Sequence, residues 1–96
     1  MSEVVIPVPA EWKRRAFIDA AKYEEMYQAS VRDPEAFWAN EARKLEWMTP
    51  FTEVKDVSYD AKNQHTRWFY DGTLNVSVNC LDRHLKKRGD QTAIIW

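Results

Sequence analysis

Residues 92–96, Thr-Ala-Ile-Ile-Trp, restrict this chain more than any other stretch. A run this rich in β-branched and aromatic side chains favours a strand. A strand needs a neighbour, because its backbone donors and acceptors are costly to bury unpaired. The rest of the sequence offers little for it to pair with: one short candidate strand over residues 54–59, in an otherwise irregular middle section. The expectation is an incomplete unit whose terminal strand joins a sheet built by other residues.

Composition points the same way. Ninety-six residues make at most one small domain, and a chain of that size buries only part of its apolar surface. Yet 45% of the residues are hydrophobic and five are Trp, so either a Trp-rich core or a covered partner surface is required. Fourteen basic residues against fifteen acidic ones leave no electrostatic case for nucleic acid or an acidic membrane as partner. A single cysteine, Cys80, excludes an internal disulfide framework and fits a reducing compartment. The apolar run Val4 to Val8 is interrupted by Pro7, and its basic residues follow instead of preceding it. That pattern is neither a signal peptide nor a membrane span, and the expected location is the cytoplasm.

Along the chain, Pro7 and Pro9 predict an extended N-terminal arm over residues 1–18. From Asp19, Ala20, Tyr23, Tyr27 and Val31 recur at helical spacing, and this first helix is expected to stop near Arg32. Asp33-Pro34 then restarts a helix, with Asp33 as N-cap and Pro34 at the first helical position. Phe37, Trp38, Ala42 and Leu45 form its apolar stripe, and Pro50 closes it around Trp47 or Met48. Two helices joined so tightly predict a hairpin that buries Tyr23 and Tyr27 near Trp38.

Residues 60–66 read as a polar loop, and the aromatic run Trp68-Phe69-Tyr70 ends at the turn pair Asp71-Gly72. Asn75 is the expected N-cap of a third helix, whose Leu74, Val78, Leu81 and Leu85 share an inward face. Lys86, Lys87 and Arg88 complement the dipole in its last turn, and Gly89 stands where a left-handed residue terminates a helix. The fold class is an α+β fragment: a helical hairpin, an irregular aromatic-rich connection, a third helix and a terminal strand.

The chemistry is sparse. With only Gly72 and Gly89, no glycine-rich phosphate loop or dinucleotide fingerprint can be built. Cys80 and His84 are four apart on one helix, but a closed zinc site needs about four ligands, and His65 lies in a loop. A Cys-His nucleophile pair also needs an oriented base and an oxyanion site. The carboxylates Glu24-Glu25 and Asp33-Glu35 fall on helix faces or caps, and Lys86-Lys87-Arg88 reads as a solvated last turn. No catalytic, cofactor-binding or metal-ligating residue is assigned. The unusual residues are Asn79, Asp82, Arg83 and His84, because Asn is a poor helix-interior residue unless its side chain has a fixed partner. With Asn75, Trp38 and Trp68 they are the candidate structural and interface residues.

Three blocks carry a family resemblance. Residues 71–75 (DGTLN), 79–85 (NCLDRHL) and 89–96 (GDQTAIIW) closely resemble the N-terminal region of AMP-forming acetyl-CoA synthetases. Upstream, Tyr23 to Tyr27, Asp33-Pro34-Glu35 with Phe37-Trp38, Leu45-Glu46-Trp47 and Pro50-Phe51 agree in order. The resemblance runs from about Tyr23 to Trp96, so residues 19–96 would form the family's N-terminal segment. It implies a much longer adenylate-forming enzyme that activates acetate with Mg-ATP to acetyl-adenylate and passes the acetyl group to CoA. ATP, Mg and CoA would then serve the full enzyme and not this chain, whose partner would be the remainder of its own polypeptide. The resemblance places this region in the large N-terminal domain of such enzymes, in a structural role. A propionate–CoA ligase shares this leading region. A stand-alone helical interaction module is the alternative of a different class.

Overall fold

The computed structural model describes residues 3–96, an α+β chain that divides into two compact units, one running to Pro34 and one from Glu35 to Trp96. The first unit contains two helices, α1 (Ala10–Arg15) and α2 (Ala20–Arg32). The arm is therefore not extended throughout. Pro9 lies just ahead of α1, where its missing N–H is not needed, and its carbonyl accepts from the Lys13 amide at 3.1 Å. Glu11 and Arg15 pair at 3.3 Å across one turn, and the Arg15 guanidinium sits over the Trp12 ring.

Helix α2 spans the expected residues. The Asp19 carboxylate caps it by accepting from the Lys22 amide at 2.8 Å, and side-chain pairs at three- and four-residue spacing, such as Gln28 to Glu24, lace its polar side. The expected burial of its tyrosines does not occur: Tyr23 and Tyr27 stack on each other at 6.2 Å and remain 62% and 49% exposed. In the second unit, Trp38 meets Trp68 edge-on.

In the second unit, helix α3 (Pro34–Ala42) begins where Asp33-Pro34 predicts but ends several residues early. The Trp47 indole N–H donates to the Ala42 carbonyl at 2.8 Å, and Lys44 and Leu45 tighten to i−3 bonds, so the last turn closes there. Strands β1 (Lys55–Ser58) and β2 (His65–Trp68) form an antiparallel hairpin in the register Lys55↔Trp68 to Ser58↔His65. The first lies within the expected strand, whereas the second overlaps the expected loop at His65 and Thr66. Asp60 shapes the connection by accepting from the Lys62 amide at 2.9 Å. After β2, Phe69 adopts a left-handed φ of 48°, a conformation a bulky side chain reaches only when its surroundings hold it.

The third helix is not continuous. Helix α4 (Val76–Cys80) is capped by Asn75 as expected, breaks at Leu81, and resumes through a 3-10 turn (Asp82–His84) into α5 (Leu85–Arg88). Gly89 is right-handed, with φ of −58°. Residues 92–96 form no strand, because strand propensity without a ladder partner orders nothing. Ile94 and Ile95 are 82% and 91% exposed. Among the described residues only Ala39, Ala42 and Asn79 are buried.

Candidate functional site: a side-chain clamp and an aromatic row

Two constructions organise the second unit. The first is a clamp. Asn79, on α4, directs its carboxamide at the backbone of Glu46: Nδ2 donates to the Glu46 carbonyl at 2.9 Å, and Oδ1 accepts from the Glu46 amide at 2.8 Å. Nδ2 also donates to the Asn75 carbonyl at 3.0 Å, and Oδ1 accepts from Arg83 Nη1 at 3.0 Å. All four hydrogen-bonding positions of the amide are filled, as a buried Asn requires. Both terminal nitrogens of Arg83 then donate to the Lys44 carbonyl at 3.0 Å. The chain just after α3 is thus held by side chains from more than 30 residues further on.

His84 explains how the helix tolerates its break. Its Nε2 lies 3.0 Å from the Asn79 carbonyl, which can only accept, so that nitrogen carries the donated proton. The imidazole satisfies a carbonyl that the interrupted helix leaves open. Asn75 caps α4 through the Val78 amide at 3.2 Å and also accepts from the Ser77 hydroxyl. Of the candidate residues, Asp82 stands apart: it is exposed, and its carboxylate makes no hydrogen bond among the described residues.

The second construction is a row of six rings. Phe37 meets Trp38 edge-on at 5.1 Å, Trp38 meets Trp68 at 6.4 Å, and Trp68 adjoins Phe69 at 6.1 Å. Phe69 then packs against Phe51 at 5.0 Å and Trp47 at 5.9 Å. Edge-to-face pairs of this kind fit the ring quadrupoles. The row links α3, β2 and the segment before β1, and it accounts for the strained Phe69 backbone. Trp38 and Trp68 each remain partly open to solvent.

Three supporting features escape sequence reasoning. Asp71, in the turn after Phe69, accepts from the Thr52 and Glu53 amides and from the Thr52 hydroxyl. The bond from the Thr52 side chain, followed by the backbone amides, holds its carboxyl below the ordinary carboxylate range against partial desolvation. On the hairpin, Asp56 accepts from His65 Nε2 at 2.8 Å and from Arg67, its direct cross-strand neighbour. The His65 bond first, and then Arg67, lower its pKa. Gly72 passes under the Trp47 indole so closely that a Cβ there would lie 2.7 Å from Cζ3. The Asp-Gly pair marked a turn, but nothing local indicated which ring would press on it.

The fold and the clamp define a small α+β segment in which Asn75, Asn79, Arg83 and His84 bond to its own backbone. The acetyl-coenzyme A synthetase N-terminus family matches the chain over residues 23–80, and the chain belongs to that family. It is 57% identical over all 96 residues to an acetyl-coenzyme A synthetase of Parvibaculum lavamentivorans. It is 58% identical to one of Methylorubrum populi and 53% to one of Novosphingobium aromaticivorans, again over 96 residues. The similarity therefore reaches into the first twenty-odd residues, where no resemblance was expected. The chain spans 15% of the length of each of these relatives.

Among the described residues, no group of three or more His, Cys, Asp or Glu is placed to hold a metal ion. No helix among them is long and apolar enough to cross a membrane.

Proposed function

We propose that this chain is the leading structural segment of an acetate–CoA ligase and contributes fold, not chemistry, to it. The observation that carries this reading is identity of 57% along the whole chain to synthetases of which it represents 15%. The full enzyme would join acetate to ATP, giving acetyl-adenylate and pyrophosphate, and the CoA thiol would then displace AMP to give acetyl-CoA. Mg, ATP and CoA would be bound by the remainder of that polypeptide. The residues here do not fit a Mg-nucleotide site: among the described residues no three acidic, His or Cys side chains are grouped to hold a metal ion, and the two glycines are 17 positions apart (89 − 72).

In this reading residues 1–18 are an arm, and residues 19–96 form part of the large N-terminal domain of an adenylate-forming fold. Trp38, Trp68, Asn75, Asn79, Asp82, Arg83 and His84 maintain or border the contact with the rest of the enzyme. Residues 92–96 pair there as a strand, which would give their exposed backbone its partners. The location is cytoplasmic, in keeping with the single unpaired cysteine.

The test is to assay the full-length protein that carries this segment for acetate-dependent pyrophosphate release, with propionate as the competing substrate. Release with acetate that requires both ATP and CoA for turnover supports the proposal. Release driven by propionate alone would reassign the substrate, and release from the 96-residue chain by itself would sink the structural reading.

A further inference from the structure

The hairpin carries a polar cluster of its own. Its register sets Asp56, Ser58, His65 and Arg67 on one face and Lys55, Val57, Thr66 and Trp68 on the other. His65 lies diagonally across from Asp56 and meets an acceptor at each ring nitrogen: the Asp56 carboxylate is 2.8 Å from Nε2, and the Asn63 carbonyl is 3.1 Å from Nδ1. The connection fixes that carbonyl, because the Asn63 amide donates to the Asp60 carbonyl at 3.0 Å and the Lys62 amide donates to the Asp60 carboxylate. A carbonyl only accepts, and so does an ionised carboxylate. A neutral imidazole has one N–H and answers one of the two acceptors, leaving a lone pair facing the other. The form that fits both is the imidazolium.

We infer that His65 is a proton-linked latch, closing the hairpin as the imidazolium and loosening it when the ring gives up a proton. The charged groups around it fit this role. Arg67, on the same strand and face, opposes a charged ring, but the two share Asp56 by taking different oxygens, Oδ2 and Oδ1. The Arg67 guanidinium also lies over the Tyr70 ring, and the Lys55 ammonium of β1 lies over Trp68. Asp60 and Lys62, in the connection, are joined through the Lys62 amide. A two-stranded hairpin is marginal by itself, and this one has four residue pairs, so the latch weighs heavily in holding it closed. An imidazole ordinarily carries both protons below about pH 6.5. There both His65 bonds form; as pH rises past that range one of them gives way to two facing acceptors. These bonds lie within the chain, so the inference stands apart from the ligase reading.

The test is amide hydrogen exchange in the full-length protein, read by mass spectrometry of peptides covering β1 and β2, with the intrinsic pH effect removed. Helix α2, which contains no histidine, serves as the reference. Hairpin opening is expected to increase about tenfold between about pH 5.5 and about pH 8, with α2 unchanged. His65→Gln keeps one donor for Asp56 but has no proton to lose, and it should remove the increase. A flat profile in the unsubstituted protein, or tighter closure as pH rises, would overturn the inference. So would an increase that persists in His65→Gln, by assigning the titration to another group, or an equal increase in α2, by making it a change of the whole protein. If His65→Gln fails to fold, the profile of the unsubstituted protein against α2 decides alone.

Discussion

The carboxamide of Asn79 pairs with both the N–H and the C=O of Glu46, at 2.8 and 2.9 Å, as one strand pairs with another. A single side chain thereby replaces a missing stretch of secondary structure and ties α4 to the exit of α3. Replacing it with Ala leaves the two Glu46 groups and one Arg83 donor without their partner. Asn79→Ala is expected to cost the intact protein about 1–3 kcal/mol and to speed hydrogen exchange at the Glu46 amide. Unchanged exchange at Glu46 would show that the clamp does not hold that segment.

Gly72→Ala tests the close approach of Trp47. The added Cβ would stand 2.7 and 2.9 Å from indole carbons and 3.0 Å from the Phe51 Cβ, while the indole N–H is bound to Ala42. The ring has to move and strain that bond. The expected loss is about 1–3 kcal/mol, with a changed near-ultraviolet circular dichroism spectrum. A loss below about 0.5 kcal/mol, as for an ordinary surface substitution, would mean the indole yields freely.

The aromatic row predicts energetic coupling between Trp38 and Trp68, which meet edge-on at 6.4 Å. A double-mutant cycle with Trp38→Ala and Trp68→Ala is expected to give an interaction of about 0.5–1.5 kcal/mol. Strict additivity would reduce the pair to two independent exposed rings.

The hairpin should respond to acid. Asp56 has its pKa lowered from an ordinary 3.8 by the His65 bond and then by Arg67. A depressed folded pKa means the contribution is complete above 3.8 and is lost as pH falls through the lower folded value. Amide exchange in β1 and β2, read as equilibrium opening with the intrinsic pH effect removed, should rise as the protein is acidified through that window. Asp56→Asn should flatten the response. Greater protection on acidification would reverse the assigned sign.

What could be read in the sequence was local. The cap at Asp19, the helix start at Pro34, the strand around Asp56 and the cap at Asn75 each follow from interactions within about four residues of the chain. The family relationship was readable too, since it depends on residue order alone. The second strand was not: His65 and Thr66 look like loop until β1 supplies a register, which also sets Arg67 opposite Asp56. Nor was the early end of α3, set by an indole reaching back to Ala42, or the break at Leu81, set by a clamp across 33 residues and sealed by His84. Residues 92–96 show the same division, with strong strand propensity and no strand. Propensity and capping act through the nearest turn of chain, and the sequence states them directly. Pairing, helix termination by distant side chains and the choice of buried face depend on which groups meet in space, and only the tertiary structure brings them together.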